Sequence, residues 1–164
     1  MIQLHDIETA VAARITGDDV KSGSLDLSGS RHTVTAAEIE EGFDKPTFFI
    51  DIFQNSVALE NQYMELVNVG VELRYFPATE TREALVEMAD ELRDTLTATP
   101  LTVGDRFLSV SEVTFDTDNG ALLAYFELEF MRETAAMQAQ REYKKMQNMQ
   151  IGVKLSYGTS SGSD

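Results

Sequence analysis

The sequence predicts an α+β fold: a single domain with a mainly antiparallel or mixed β-sheet covered by two α-helices, followed by a C-terminal arm. Three observations support it. Met64–Phe76 alternates with a period of two, two segments carry apolar residues at helical spacing, and an Asn-Gly pair separates two strand patterns near Asp116. At 164 residues the chain has the length of one domain.

The segment Met64–Phe76 is the central predicted strand. One side carries β-branched, leucine and tyrosine side chains. The other carries Leu66, Asn68, Gly70, Glu72, Arg74 and Phe76. The first side is formed by Val67, Val69, Val71, Leu73 and Tyr75. This pattern is typical of a strand with one buried face, and Pro77 ends it because proline has no N–H to donate.

Two amphipathic helices are predicted to cover this sheet. Leu4, Ile7, Val11 and Ile15 form one apolar stripe, and Gly17 ends that helix. The second helix follows Thr79 as its N-cap and ends before Pro100. Its stripe consists of Leu85, Met88, Ala89, Leu92 and Leu96.

Further strands are predicted at 47–53, 101–103, 106–115 and 121–131, with a short one within 32–36. Residues 54–62 are predicted to connect the 47–53 strand to the central one. Apolar residues lie on both faces of 47–53, which predicts that each face is at least partly covered, by a helix on one side and by another subunit on the side with Phe49 and Phe53. The outward side of the last strand carries Tyr125, Glu127 and Glu129. This side is predicted to be exposed to solvent or to contact a partner.

Composition restricts the function. The net charge of −15 disfavours a direct grip on nucleic acid, because phosphate binding needs Lys and Arg. No apolar run is long enough to span a membrane, the N-terminus lacks the pattern of a secretory signal, and synthesis in the cytoplasm is the default expectation. The chain has no cysteine, which excludes disulfides and thiolate chemistry.

Two segments lie outside the predicted core. Residues 17–31 are rich in Gly, Ser and Asp and are predicted to form a mobile loop. The predicted arm, 132–157, comprises a polar helix and a short edge strand at Ile151–Tyr157, and residues 158–164 are predicted to be disordered. Residues 132–164 carry five bases and three acids, whereas 1–131 carry eight bases and 25 acids. The arm could therefore lie on an acidic neighbour by strand addition, or fold back on its own sheet.

No pattern of catalytic or metal-binding residues stands out. His5 and His32 have no partner at metal-ligand spacing, and both are expected at the surface. Asp116 and Asp118 with Glu127 resemble a calcium loop, but Gly120 falls one position early and a hairpin fits better. The nucleotide-binding and hydrolase motifs are absent. The sequence thus predicts no enzyme, no metal and no cofactor.

Three stretches carry a resemblance to a known family. They are Glu41-Gly-Phe with Lys45-Pro and Phe48-Phe49; Arg74-Tyr-Phe-Pro77 with Glu87-Met-Ala-Asp90; and Gly104-Asp-Arg-Phe-Leu108 before the last hairpin. In this order they resemble the tail terminator proteins of phages and phage-tail-like particles, in particular those of prophages of Gram-positive bacteria. The resemblance covers roughly residues 4–131, and 1–131 are taken as the terminator-like domain.

The resemblance implies a structural virion protein of the tail, assembled in the host cytoplasm. It implies a hexameric ring that caps the tail tube, ends elongation and presents the head or neck attachment surface. The implied partners are further copies of the chain, the tube protein, the sheath protein of a contractile tail, and a neck or head completion protein, with DNA passing through the lumen unbound. The predicted interface residues are Phe49, Phe53, Phe76, Tyr125, Met146, Met149, Ile151, Val153 and Leu155.

Three alternatives remain open on the sequence. The chain could be a head–tail joining or tail completion protein, which would also form rings but would bind the head connector. It could be a monomeric binding module, as its charge would allow. It could be a metal enzyme that depends on Asp116 and Asp118.

Overall fold

The computed structural model describes residues 2–17, 34–35 and 45–157, with side chains in the last range as far as Met146. The order of elements is one helix, three strands, a second helix, four strands and a third helix. The helices are α1 (Leu4–Thr16), α2 (Arg82–Thr97) and α3 (Ala135–Tyr157). The strands are β1 (Val34–Thr35), β2 (Thr47–Leu59), β3 (Met64–Phe76), β4 (Leu101–Val103), β5 (Arg106–Leu108), β6 (Val113–Asp118) and β7 (Ala121–Glu133). The predicted α+β class is confirmed.

The described residues form two compact units. The first comprises Met1–Val57 and Val67–Phe130, and the second comprises Ala58–Leu66 and Met131–Asp164. The main sheet has the strand order β1-β2-β3-β7-β6, and β4 and β5 form a separate hairpin sheet. β1 runs parallel to β2, and β6 runs antiparallel to β7.

The core of the first unit lies between the two helices and one face of the sheet. Ile7 and Val11 of α1 are fully buried, as is Leu96 of α2. The sheet contributes Val67, Val69, Val71, Leu73 and Tyr75 from β3, and Leu122, Ala124, Phe126, Leu128 and Phe130 from β7. The predicted inner faces of both strands are therefore confirmed. The helical stripes are confirmed except at Leu4, which is 40% exposed at the start of α1.

Arg14 ties α1 to the C-terminus of α2. Its guanidinium is buried and donates hydrogen bonds to the carbonyl oxygens of Thr95 (3.2 Å), Thr99 (2.9 Å) and Pro100 (2.8 Å). Thr95 lies in the last turn of α2, where carbonyls have no intrahelical partner and carry partial negative charge, and Thr99 and Pro100 follow the helix. The guanidinium satisfies these three carbonyls and is itself satisfied by them, which explains how an arginine is accommodated beside the core.

Several predicted boundaries were wrong. Residues 54–59 were predicted to be a connection, but they continue β2. Pairing with β3 satisfies the backbone hydrogen bonds of this segment even though its side chains are mostly polar. The actual turn is short, and the Asn61 carboxamide oxygen accepts from the backbone N–H of Tyr63 (2.9 Å) and Met64 (3.0 Å). The predicted strand 106–115 is two strands in different sheets, separated by 109–112, where buried Val110 joins the core. The N-cap of α2 is Thr81 and not Thr79, because the Thr81 hydroxyl accepts from Ala84 N–H at 3.3 Å.

The second unit contains the ends of β2 and β7, the start of β3 and helix α3. The Arg132 guanidinium pairs with Glu65, and Thr134 N–H donates to the carbonyl of Tyr63 at 2.9 Å. Thr134 also begins α3, since its hydroxyl accepts from the backbone N–H of Met137 at 3.4 Å. From Glu142 to Met146 the helix is exposed.

The predicted edge strand at Ile151–Tyr157 was wrong, because those residues belong to α3. Once a helix has formed, each added residue gains a hydrogen bond at a small entropic cost, and a weak two-residue alternation does not outweigh this gain. The predicted loop at 17–31 lies outside the described residues except for Gly17, and so do His32 and 158–164. Gly17 ends α1 in the left-handed region (φ 77°), as predicted.

Candidate functional site

The face of the main sheet opposite α1 and α2, hereafter the outer face, carries the candidate site. Cross-strand contacts fix its register. Asn55 of β2 contacts Asn68 of β3, and Asn68 contacts Glu127 of β7. Phe53 and Tyr125 lie on either side of Gly70. Residue numbers rise on one strand as they fall on its neighbour, so β2, β3 and β7 are antiparallel here.

Four side chains from these three strands form a hydrogen-bonded cluster, hereafter the outer-face network: Asn55, Asn68, Tyr125 and Glu127. The Asn55 amide donates to Asn68 Oδ1 (2.8 Å) and to the Tyr125 hydroxyl (3.0 Å). The Asn68 amide donates to Glu127 Oε2 (3.0 Å), and the Tyr125 hydroxyl donates to Glu127 Oε1 (2.8 Å). Each side chain holds the next in one orientation, so the cluster is preorganised on an accessible surface.

Beside the network, Phe53 stacks against Tyr125 with ring centroids 6.1 Å apart and planes 17° apart. The close approach depends on Gly70. A Cβ at that position would lie 2.6 Å from Phe53 Cε2 and 3.1 Å from Tyr125 Cε2. Phe53 remains 40% exposed, so the pair offers apolar surface next to fixed polar groups.

The network shifts two ionisation equilibria. Hydrogen bonds from Asn68 and then Tyr125 lower the pKa of Glu127 below its ordinary value, because both stabilise the carboxylate. The Asn55 amide lowers the pKa of the Tyr125 phenol, but partial burial and the Glu127 carboxylate outweigh it, and the net pKa is raised. Both groups therefore keep their neutral-pH forms, a carboxylate and a phenol, over a wide range.

The outer face is acidic around this network. Asp51 on β2 and Glu129 on β7 are exposed, and Arg74 on β3 pairs with Glu72 at 2.9 Å. Elsewhere in the first unit, the Lys45 ammonium donates to Glu80 at 2.8 Å and lowers the pKa of that carboxyl. A surface with this sign attracts basic partners and repels phosphate.

The predicted interface residues do not all lie on this accessible surface. Phe49 is only 6% exposed and packs edge-to-face on Phe76 at 5.7 Å, so it contributes little accessible surface. Phe53 and Tyr125 lie together at the network. Met146 is 57% exposed on α3. The other four, Met149, Ile151, Val153 and Leu155, lie on α3 beyond the described side chains.

Sequence reasoning missed Asn55, Asn68 and Gly70. Alternation alone placed Asn68 and Gly70 outward, but their partners depend on strand register, which no local pattern revealed. Asn55 was assigned to a connection and not to a strand. A polar residue at an outward position on each of several adjacent strands is the pattern that could have indicated a network.

The described residues that the sequence singled out for metal chemistry do not come together as a metal site. Within residues 2–17 and 45–146, no three His, Asp or Glu side chains lie together as a metal site. Asp116 and Asp118 lie on β6, next to the turn at Asn119 and Gly120, whose positive φ angles of 48° and 79° confirm the predicted hairpin. His5 is exposed on α1, 3.5 Å from Glu8, as expected. None of the described helices is both long enough and apolar enough to cross a membrane.

A family model described as phage tail terminator protein matches residues 6–153. The chain belongs to this family. The match spans both compact units and most of α3, so it extends beyond the roughly 4–131 suggested by the resemblance. No curated protein matches the sequence significantly.

Membership of the family assigns a structural role in the phage tail. The family is one of structural proteins and not of enzymes. Its members belong to the virion tail and interact with other tail proteins. The outer face, with its fixed polar groups and exposed aromatic ring, is the candidate surface for such contacts.

Proposed function

We propose that the chain forms a hexameric ring that caps the tail tube, ends elongation, and presents the surface to which the head or neck attaches. The observation that carries this proposal is the family match over residues 6–153. In a contractile tail the same ring would contact the last layer of sheath. An acidic ring would also leave a lumen through which DNA passes without binding, because like charges repel.

The outer face supports the proposal as the contact surface. Phe53 and the adjacent network combine a partly exposed apolar ring with polar groups already held in place, and such groups lose little entropy on binding. An exposed aromatic ring bordered by polar residues is typical of an interaction site. We assign Phe53 and Tyr125 to the subunit or tube interface.

The decisive experiment adds the purified chain to tubes polymerised from the tube protein of the same phage. Capping predicts that growth stops, that the length distribution narrows, and that six-fold density appears at one tube end in electron micrographs. Density along the shaft, or binding to head connectors with no effect on tube length, would overturn the proposal. The second outcome would identify a head–tail joining protein.

A charge substitution tests the assigned surface. Phe53→Glu should abolish capping, because it places a carboxylate in an apolar contact, while Phe53 is exposed enough for the subunit to stay folded. Phe107→Glu is the matched control, since Phe107 is 74% exposed on the small sheet. Capping by both variants, with circular dichroism unchanged, would place the interface elsewhere. Capping lost in both would point to a wider surface than the one assigned.

The basic helix α3 is proposed to lie along an acidic surface of a neighbouring copy. Lys144 and Lys145 are exposed on it, and Arg141 is exposed but pairs with Glu133 at 2.7 Å. Residues 1–131 carry the acidic excess. Each exposed charge pair contributes under about 1 kcal/mol, so apolar contact by Met146 must contribute as well. Lys144→Glu with Lys145→Glu should weaken capping, and the arginine pair at both positions should retain it. Equal capping by both pairs would exclude a role for these charges.

A further inference from the structure

A groove separates the first half of α2 from the β6–β7 hairpin, away from the outer-face network. Its volume is about 610 Å³, within the range of binding pockets. The apolar part of its lining comes from both sides: Leu85, Val86 and Ala89 from α2, and Phe115 and Leu122 from the hairpin. Val86 is 53% exposed although it lies in this lining. The groove is therefore open to an entering side chain.

One wall of the groove is the edge of the main sheet. β6 is the terminal strand, and it pairs only with β7 among the described strands. The register pairs Asp118 with Ala121 across a two-residue turn, and Phe115 with Ala124. In a two-residue hairpin the pair that flanks the turn, here Asp118 and Ala121, exchanges two backbone hydrogen bonds. Every second residue from Thr117 back to Val113 therefore directs its N–H and C=O groups away from β7.

The accessible part of this edge is short and defined. The N–H of Thr117 is already bonded to the Asp116 carboxylate at 2.7 Å. Within the described part of the chain, the backbone groups of Phe115 and Val113 remain for pairing. Their side chains point inward, toward the groove and core. An extended chain that paired here would direct every second side chain into the groove.

The other side of β6 belongs to the outer face and is acidic, and Asp116 also borders the groove. Asp116 and Asp118 are exposed, and neither forms an ion pair with a base in the part of the chain described. In an antiparallel pair, opposite charges on directly facing residues are favourable. The residues of an added strand that face these two carboxylates should therefore be Lys or Arg.

We propose that the β6 edge and the α2 groove bind, by strand addition, an extended segment of a partner protein in which apolar side chains alternate with lysine or arginine. The apolar side chains enter the groove beside Phe115, Leu85 and Val86. The basic ones lie beside Asp116 and Asp118. Backbone bonds to β6 supply affinity, and the alternation supplies specificity. The groove lies on the helix side of the sheet, whereas Asp116 and Asp118 lie at the β6 edge of the outer face. The proposal does not depend on tube capping.

The test uses the full chain and a short fluorescent peptide that alternates valine and lysine, with binding followed by anisotropy. Saturable binding is expected. Asp116→Lys with Asp118→Lys should weaken it about tenfold, since two favourable pairs become two repulsive ones. The same variant should bind the valine–glutamate peptide better than the unchanged chain does. Asp51→Lys with Glu129→Lys is the matched control, because it alters net charge equally on β2 and β7, away from the β6 edge.

Two further measurements separate strand addition from attraction by charge alone. N-methylation of alternate peptide amides should abolish binding when it blocks the edge that faces β6, and should leave binding intact when it blocks the other edge. Val86→Arg should weaken binding by obstructing the groove, without unfolding, since Val86 is exposed. Equal binding by both methylated peptides, equal weakening in the Asp51 and Glu129 control, or no binding at all would overturn the proposal. None of these results bears on tube capping, which has its own assay.

Discussion

Gly70→Ala offers a sharp test of the outer-face geometry. The added Cβ would lie 2.6 Å and 2.9 Å from the Cε2 and Cζ atoms of Phe53, well inside normal carbon–carbon contact. The Phe53 ring is the far end of a side chain that is 40% exposed, so it can rotate outward. We therefore expect the substitution to displace the ring and leave the backbone in place.

The expected magnitude follows from three terms. Loss of the stacked pair with Tyr125 costs about 0.5–1.5 kcal/mol. Moving the ring from its preferred rotamer adds about 0.5–1 kcal/mol. Alanine regains about 0.5–1 kcal/mol over glycine within a strand. The free energy of unfolding should fall by about 1 kcal/mol. In a Phe53→Ala background the first two costs vanish, and only the 3.1 Å approach of the new Cβ to Tyr125 Cε2 remains. Gly70→Ala should then become stabilising by about 0.5 kcal/mol, the lower end of alanine's gain.

The assay is urea unfolding of the unchanged chain, the two single variants and the double variant, with m-values compared. A coupling energy of about 1.5 kcal/mol is expected between positions 53 and 70. Gly70→Ala in a Phe107→Ala background is the control, and there the coupling should be near zero, because Phe107 lies on the small sheet. If Gly70→Ala has the same effect in every background, Phe53 does not lie over Gly70 and the described surface is incorrect.

Two other predictions address the fold and the network. Arg14→Leu should lower the free energy of unfolding by about 3 kcal/mol, because three carbonyls lose a charged donor. Arg14→Lys should lower it by about half as much. A loss below about 1 kcal/mol for Arg14→Leu, measured by urea unfolding, would contradict this capping role. Because the pKa of Glu127 is lowered, its hydrogen bonds persist above the ordinary value of 4.5 and are lost as pH falls through the lower folded value. A carboxyl-carbon NMR titration should place the midpoint of Glu127 below 4.5, and Asn68→Ala should move it upward, whereas an unchanged midpoint would refute the network.

The parts of the fold that sequence predicted are those where side-chain periodicity and burial coincide. In β3 the alternating residues from Val67 to Tyr75 are all nearly inaccessible, because a one-residue slip would expose the whole set. The Asn119-Gly120 turn was equally clear, since its two positive φ angles favour that residue pair. The strand and the turn are both determined by residues close together in the sequence.

The errors occurred where tertiary pairing overrides local composition. Polar residues 54–59 suggested a connection, but β3 satisfies their backbone and the Asn55 amide serves the network. Residues 106–115 suggested one strand, but the chain leaves the small sheet at Leu108 and enters the main sheet at Val113. The site could not be predicted without the register between strands. The role of Gly70 is to allow Phe53 and Tyr125 to approach each other, and those residues lie on neighbouring strands.

The composition of the outer face also bears on how a tail protein could stay soluble before it assembles. A sheet face made only of aromatic and aliphatic residues would be an aggregation site in the free subunit. Here the exposed ring of Phe53 is bordered by amide, phenol and carboxylate groups that satisfy one another, so water solvates the free surface well. The same bonds hold the side chains in place, so docking against a partner orders few additional rotamers. If the outer face is the capping surface, Asn68→Ala should weaken capping more than it weakens folding, because it frees Glu127 and Asn55 without removing any core contact.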